Sequence, residues 1–121
     1  MEHITISKRN ELLRIPFAKA MFYEAFGNYC YGVFPNKQKV MLTISLAELD
    51  KLIHKAHEAN QPDFIRVGKR FIINADRVVQ INVTQGKLVL SDFVHEGNFA
   101  LPIAKEAAKE LKLYFENTTT K

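Results

Sequence analysis

The sequence of 121 residues contains a single cysteine, Cys30. This excludes an intramolecular disulfide framework and a zinc site built from several cysteines. No apolar run approaches the roughly 18–20 residues that span a bilayer, and the N-terminus lacks the basic patch, apolar run and cleavage site of a signal peptide. We therefore expect no membrane partner, and a reducing cytoplasm fits the low cysteine content.

The sequence also lacks the signatures of common enzyme classes. It has no G-x-S-x-G, no Walker loop, no H-E-x-x-H and no G-x-G-x-x-G. His54 and His57 have a spacing that can place two metal ligands on one helix face, but no further ligand is arranged with them, which favours a solvated helix face. We predict that the chain is not an enzyme, binds no metal or cofactor and has no small-molecule substrate.

The composition is that of one ordinary globular domain, with 47% hydrophobic and 25% charged residues. The four prolines are scattered singly, and no Ser/Gly-rich stretch marks a linker. We predict a single domain over residues 1–116 and a frayed tail over 117–121, which has no apolar anchor. The net charge of +4 mildly favours anionic partners.

Hydrophobic patterns and turn signals predict a mainly β fold with one internal and one C-terminal helix. The predicted strands are 12–15, 21–26, 29–34, 39–44, 64–67, 71–74, 79–84, 87–90 and 99–101, of which the last three form a meander. A capping box at 45–48 predicts a helix over 45–59, and Pro102 suits the first turn of a helix over 103–116. Because strands and helices do not alternate regularly, we expect antiparallel sheets and not a doubly wound fold.

A basic segment at 64–78 carries the most informative chemistry. Between residues 66 and 77 the local net charge is +3, since four cations outnumber one acid. The cations are Arg66, Lys69, Arg70 and Arg77. Gly68 interrupts two apolar strand segments, so Lys69 and Arg70 are expected in a turn. Both residue types neutralise phosphates, and Arg can also bind guanine O6 and N7; a solvated basic turn is the alternative.

Four segments in order, 22–29, 44–49, 64–78 and 101–105, carry a resemblance to a known family. They are similar to the motifs of the LytTR family of bacterial DNA-binding domains, the output module of many response regulators. The third segment matches the family signature in kind and spacing at eight positions. These are Phe64, Arg66, Val67, Phe71, Ile72, Ile73, Asn74 and Val78.

The resemblance implies an elongated stack of small antiparallel β-sheets in which loops, and not a recognition helix, enter the DNA grooves. It implies sequence-selective binding of double-stranded DNA by a transcription regulator. It also allows a homodimer that binds repeated DNA sites. By position, the turn at 27–30 supplies Asn28 and Tyr29, while Lys69, Arg70 and Lys105 occupy later contact positions. The basic segment adds Arg66 and Arg77 to this candidate DNA-binding set.

The departures from the family pattern fall at its contact positions. Gly68 stands for the usual histidine, Lys69 for arginine, Arg70 for serine, Ala104 for serine and Lys105 for arginine. Where Lys replaces Arg, the planar fork that makes bidentate contacts is lost. The family's usual regulator carries an N-terminal receiver domain, for which this sequence has no room, so a standalone regulator and a part of a longer protein are both open.

Two other functions remain open. The same fold could serve as a protein-interaction or dimerisation module that has lost DNA binding. Alternatively, Phe26, Tyr29 and Tyr31 could stack the bases of a single-stranded nucleic acid beside the basic turn.

Four further residues each allow two interpretations. Glu24 orients a loop or Arg66, or simply faces water. Arg66 makes a structural salt bridge or contacts phosphate. Asn74 closes a turn through its own backbone or binds a ligand. Cys30 is a small buried hydrophobe or a redox-sensitive thiol.

Overall fold

A computed structural model describes residues 3–118, which form two compact units divided between Asp76 and Arg77. The first unit contains β1 (Ile4–Lys8), β2 (Glu11–Ile15), β3 (Phe22–Phe26), β4 (Tyr29–Val33), β5 (Lys39–Leu42), α1 (Leu46–Ala56), β6 (Phe64–Val67) and β7 (Phe71–Asn74). The second contains β8 (Val78–Asn82), β9 (Lys87–Leu90), β10 (Phe99–Pro102) and α2 (Lys105–Thr118). Within residues 3–118, three small antiparallel sheets and two α-helices confirm the predicted mainly β class.

The main sheet of the first unit has five strands in the order β5-β4-β3-β7-β6. Its face carrying Tyr23 and Ile72 packs against α1 and the β1–β2 hairpin in one hydrophobic core. α1 contributes Leu49 and Ile53, which its helical period places on the buried side. The predicted pairing of the strands at 29–34 and 39–44 is confirmed by the β4–β5 ladder.

α1 begins at the predicted capping box. The Glu48 N–H donates to Ser45 Oγ at 3.1 Å, and the Ser45 N–H donates to Glu48 Oε1 at 3.4 Å. The helix ends at Ala56, three residues earlier than predicted, because His57 adopts an extended conformation. His57 therefore does not share a helix face with His54, and its ring lies 3.4 Å from Asp63 Oδ1.

The sequence motifs do not predict β1, which pairs with β2 along its whole length. Its signal was nevertheless present, since buried Ile4 and Ile6 alternate with exposed Thr5 and Ser7. A short strand with one buried face has this period of two.

The second unit is a meander in the order β10-β9-β8, as predicted, with α2 against β8. Pro102 ends β10 and does not start the helix. β10 is an edge strand, where a residue without an N–H is tolerated. An irregularity in register between Val78 and Gln80 leaves Val79 45% exposed, so the predicted alternation of buried apolar and exposed polar side chains fails there.

The predicted tail overlaps α2, which continues to Thr118, and its last three residues lie outside those described. Neither helix of the described chain has the length and apolar character needed to cross a membrane.

Candidate nucleic-acid interface

Two turns lie at the same end of the five-stranded sheet. β3 pairs antiparallel with β4 on one side and with β7 on the other. The β3–β4 turn (27–28) and the β6–β7 turn (68–70) are therefore neighbours. The Ala25 N–H donates to the Arg70 carbonyl at 2.8 Å and links them directly.

Glycine permits the tight geometry of both turns. Gly27 and Gly68 have φ values of +60° and +61°, a left-handed conformation that residues with a Cβ rarely adopt. In each turn the two side chains after the glycine are exposed to solvent. They are Asn28 and Tyr29 in the first turn, and Lys69 and Arg70 in the second. These four members of the candidate set are thus brought together and exposed.

Arg66 holds the second turn in shape. Its Nε donates to the Gly68 carbonyl at 3.1 Å, and its Nη2 donates to the Lys69 carbonyl at 3.4 Å. Its position makes Arg66 a support for Lys69, whose own side chain has no ion-pair partner within residues 3–118.

Arg70 is fixed by a carboxylate on β3. Its Nε and Nη2 lie 2.8 Å and 2.7 Å from Glu24 Oε2. Glu24 Oε1 accepts a 2.6 Å hydrogen bond from the Tyr31 hydroxyl, on the neighbouring strand β4. The Arg70 guanidinium also lies 4.8 Å from the centroid of the Phe71 ring. Glu24 therefore orients a side chain of the basic turn, but that side chain is Arg70 and not Arg66.

The same sheet face carries exposed aromatic and cationic groups. Phe26 is 61% exposed, and its ring centroid lies 6.4 Å from that of Tyr31. Lys39 Nζ lies 5.0 Å from the Tyr31 ring centroid. Partial burial, with the hydrogen bond to Glu24 and its negative charge, raises the pKa of Tyr31 to about 12. The phenol is therefore a neutral donor to Glu24 at physiological pH.

The other two candidate residues belong to the second unit. Arg77 ends a 3-10 helix at Ala75–Arg77, and its Nε is buried without a hydrogen-bond partner among the described residues. Lys105 opens α2, where it is exposed and has no ion-pair partner within residues 3–118.

Comparison with protein-family models matches residues 10–116 to the LytTr DNA-binding domain. This chain belongs to the LytTR family. It is a family of DNA-binding domains and not an enzyme fold. The LytTr DNA-binding domain of a putative methyl-accepting/DNA response regulator from Bacillus cereus is similar in structure, with a TM-score of 0.62 and 21% identity over 93% of this chain and 95% of that one. No curated protein matches the chain.

Two residues of this LytTR domain have structural roles at the sheet's core. Asn74 is fully buried, and its Oδ1 accepts from the Asp76 N–H at 3.0 Å, which confirms the predicted turn. Its Nδ2 also donates to the Ala20 carbonyl at 2.9 Å. Cys30 is buried, as the first interpretation held, and burial, then the charge of Glu48, raises the pKa of its thiol to about 11.

The candidate interface includes residues that the sequence did not indicate. Glu24 and Arg70 are 46 residues apart, so no local motif joins them. The sequence places Phe71 in a strand and in the family signature but predicts no contact with Arg70 for it, and the edge-strand residue Lys39 is not among the candidate cations. The β3–β7 ladder brings Glu24 to Phe71 and Arg70, and the β4–β5 ladder brings Lys39 to Tyr31.

Proposed function

We propose that this LytTR domain is a transcription regulator that binds selected double-stranded DNA sites by inserting its β3–β4 and β6–β7 turns into the grooves. The observation that carries the proposal is the meeting of these turns at one end of the sheet, with Asn28, Tyr29, Lys69 and Arg70 exposed on them. A transcription regulator acts where the DNA is, which for a bacterial regulator is the cytoplasm.

The chemistry of the turns supports contacts of two kinds. Lys69 presents an exposed ammonium that can neutralise a phosphate. Asn28 and Arg70 offer hydrogen-bond donors of the types that bind base edges in the major groove. Arg66 on β6 and, within the second unit, Lys105 and the remaining donors of Arg77 are further phosphate ligands, which with Lys69 makes four. No cofactor is needed for this binding.

The test is duplex DNA binding by fluorescence anisotropy, with selection from a pool of random sites and titration at several salt concentrations. Each phosphate contact adds about 0.9 to the negative slope of log K against log salt, so four contacts give a slope of about −3 to −4. We expect the selection to enrich a sequence motif, and we expect the slope of log K against log salt to be about −3 to −4. A slope near zero would overturn the electrostatic mechanism.

Variants locate the binding surface. Lys69→Ala and Arg70→Ala should weaken binding while the domain remains folded. Lys51→Ala, which removes an exposed lysine from α1, is the matched control and should bind as the unchanged protein does. Equal losses from all three variants would point to net charge alone and would contradict a specific turn-based interface.

A second candidate function has one observation in its favour. Phe26 and Tyr29 are 61% and 49% exposed on either side of the first turn, as a platform for stacking unpaired bases would be. A single-stranded binder would prefer an unpaired oligonucleotide to its duplex, and Phe26→Ala would remove that preference. If neither form binds at any salt concentration, the fold serves as a protein-interaction module instead.

A further inference from the structure

The basic turn carries two cations whose surroundings differ sharply. Lys69 is exposed and has no ion-pair partner within residues 3–118, whereas the neighbouring Arg70 faces Glu24. The Glu24 carboxylate side chain is only 15% exposed, so solvent screens this pair less than a fully exposed one. The positive charge of Arg70 is thus offset within the protein, and that of Lys69 is not.

The pairing uses one edge of the Arg70 guanidinium and leaves another open. Both contacts to Glu24 Oε2 come from Nε and Nη2, which form the side edge of the group. Within residues 3–118, Nη1 has no hydrogen-bond acceptor, and Arg70 is 58% exposed. One Nη1 hydrogen and the outer Nη2 hydrogen therefore form a free end-on pair of donors, which the second Nη1 hydrogen adjoins.

Two contacts fix the direction of this open edge. Glu24 is itself held by the Tyr31 hydroxyl at 2.6 Å, and the Phe71 ring supports one face of the guanidinium at 4.8 Å. A guanidinium held in one plane has little rotational freedom to lose when it forms two parallel hydrogen bonds. Guanine O6 and N7 in the major groove are two adjacent acceptors that match this geometry.

We propose that Arg70 determines specificity by binding a guanine base edge through its Nη1–Nη2 edge, with Glu24 as the positioning residue, while Lys69 binds phosphate. This division of roles rests on the proposed function, since it requires that the β6–β7 turn enters the major groove. Under this proposal Arg70 accounts for the sequence preference, and the adjacent Lys69 contributes to the salt dependence of binding.

The experiment combines site selection from a random duplex pool with salt titration for six proteins. They are the unchanged domain, Arg70→Lys, Arg70→Ala, Glu24→Gln, Lys69→Ala and the control Lys51→Ala. We expect the unchanged domain to select a motif containing a guanine whose replacement by adenine weakens binding about 5- to 150-fold, the range for one bidentate contact. Thermal unfolding of each variant establishes that it is folded.

Each variant has its own signature under the proposal. Arg70→Lys should lose the guanine preference with little change in salt slope, because the charge remains and the fork is gone. Lys69→Ala should keep the motif and flatten the slope by about 0.9. Glu24→Gln should weaken the guanine preference and steepen the slope by up to about 0.9, because the Arg70 charge is released to meet a phosphate. A merely structural role for Glu24 predicts no steeper slope.

Three results would overturn the inference. One is a motif without a guanine that depends on Arg70. Another is an unchanged motif in Arg70→Lys together with an unchanged slope in Glu24→Gln. The third is an Arg70→Ala variant that keeps the motif and flattens the slope as Lys69→Ala does, which makes Arg70 a phosphate ligand. In all three the domain still binds duplex DNA, whereas absence of any duplex binding removes the proposed function itself.

Discussion

The ring of Tyr23 lies directly over Gly32, its cross-strand partner on β4, and occupies the space where a Cβ on residue 32 would be. That Cβ would come 2.8 Å from Tyr23 Cε1 and 3.0 Å from Cδ1. The ring cannot easily move, because Tyr23 is fully buried and its hydroxyl donates to the Phe17 carbonyl at 2.9 Å. Gly32 therefore lets the largest side chain of the core lie flat on the sheet that positions both turns.

Gly32→Ala should destabilise the domain by about 1–3 kcal/mol, the usual penalty for overpacking a core. Urea unfolding measures this as a lower midpoint with an unchanged m value. The matched control is the same change in a Tyr23→Leu background, where the clashing ring is absent. The penalty should shrink there, and an equal penalty in both backgrounds would show that ring contact is not its cause.

Asn74→Ala should lower the free energy of unfolding by about 2–3 kcal/mol, because it leaves a buried carbonyl at Ala20 and a partly buried N–H at Asp76 without their side-chain partner. Asn60→Ala, at an exposed turn position, should change it by less than about 0.5 kcal/mol. Comparable stability of the two variants would exclude a structural role for the buried amide.

The elevated pKa of Cys30 predicts slow thiol chemistry in the folded state. Its folded pKa of about 11 lies above the ordinary value of 9.0, so the neutral thiol stabilises the fold fully below about pH 9. That contribution is lost as the pH rises from 9 towards 11. Iodoacetamide at pH 8 should alkylate the folded domain far more slowly than the urea-unfolded chain. Equal rates would mean that the thiol is accessible, which would favour the redox interpretation.

The pKa of Tyr31 reports directly on the Glu24–Arg70 pair. Because Glu24 raises this pKa and Arg70 lowers it, Glu24→Gln should bring it down from about 12 towards 10.0, and Arg70→Ala should raise it further. A raised folded pKa means that the phenol stabilises the fold below pH 10 and that this stability is lost between pH 10 and 12. Site-resolved NMR of the Tyr31 ring carbon measures each value. A shift in the same direction for both variants would contradict the arrangement.

The loop between β9 and β10 should resist acid. Hydrogen bonds from the His95 ring and from the backbone N–H groups of His95 and Val94 hold the pKa of Asp92 well below its usual range. The carboxylate of the folded domain therefore stays ionised as the pH falls below 3.8. The stabilisation that it supplies is complete above about pH 3.8 and is lost progressively as the pH falls from there towards the lowered folded pKa. NMR titration of the Asp92 carboxyl carbon should show no midpoint near 3.8, and Asp92→Asn should speed amide exchange in the loop.

The sequence by itself determined most of the local structure. The capping box at Ser45, the turn residues and the alternation of apolar side chains depend on neighbours a few residues apart, and the elements they predicted are present, with small differences at their ends. The basic turn at Lys69 and Arg70 was also visible, because charge and the glycine before it are properties of a short segment.

Only the tertiary structure decided what those cations can do. Glu24 meets Arg70 because the β3–β7 ladder brings together residues 46 positions apart, and Tyr31 reaches Glu24 across the β3–β4 ladder. Arg66 and Lys69 are both cations in the sequence, but Arg66 supports the turn whereas the side chain of Lys69 is exposed. Strand pairing, and with it the burial and the partners of each charge, is a long-range property that local patterns do not contain.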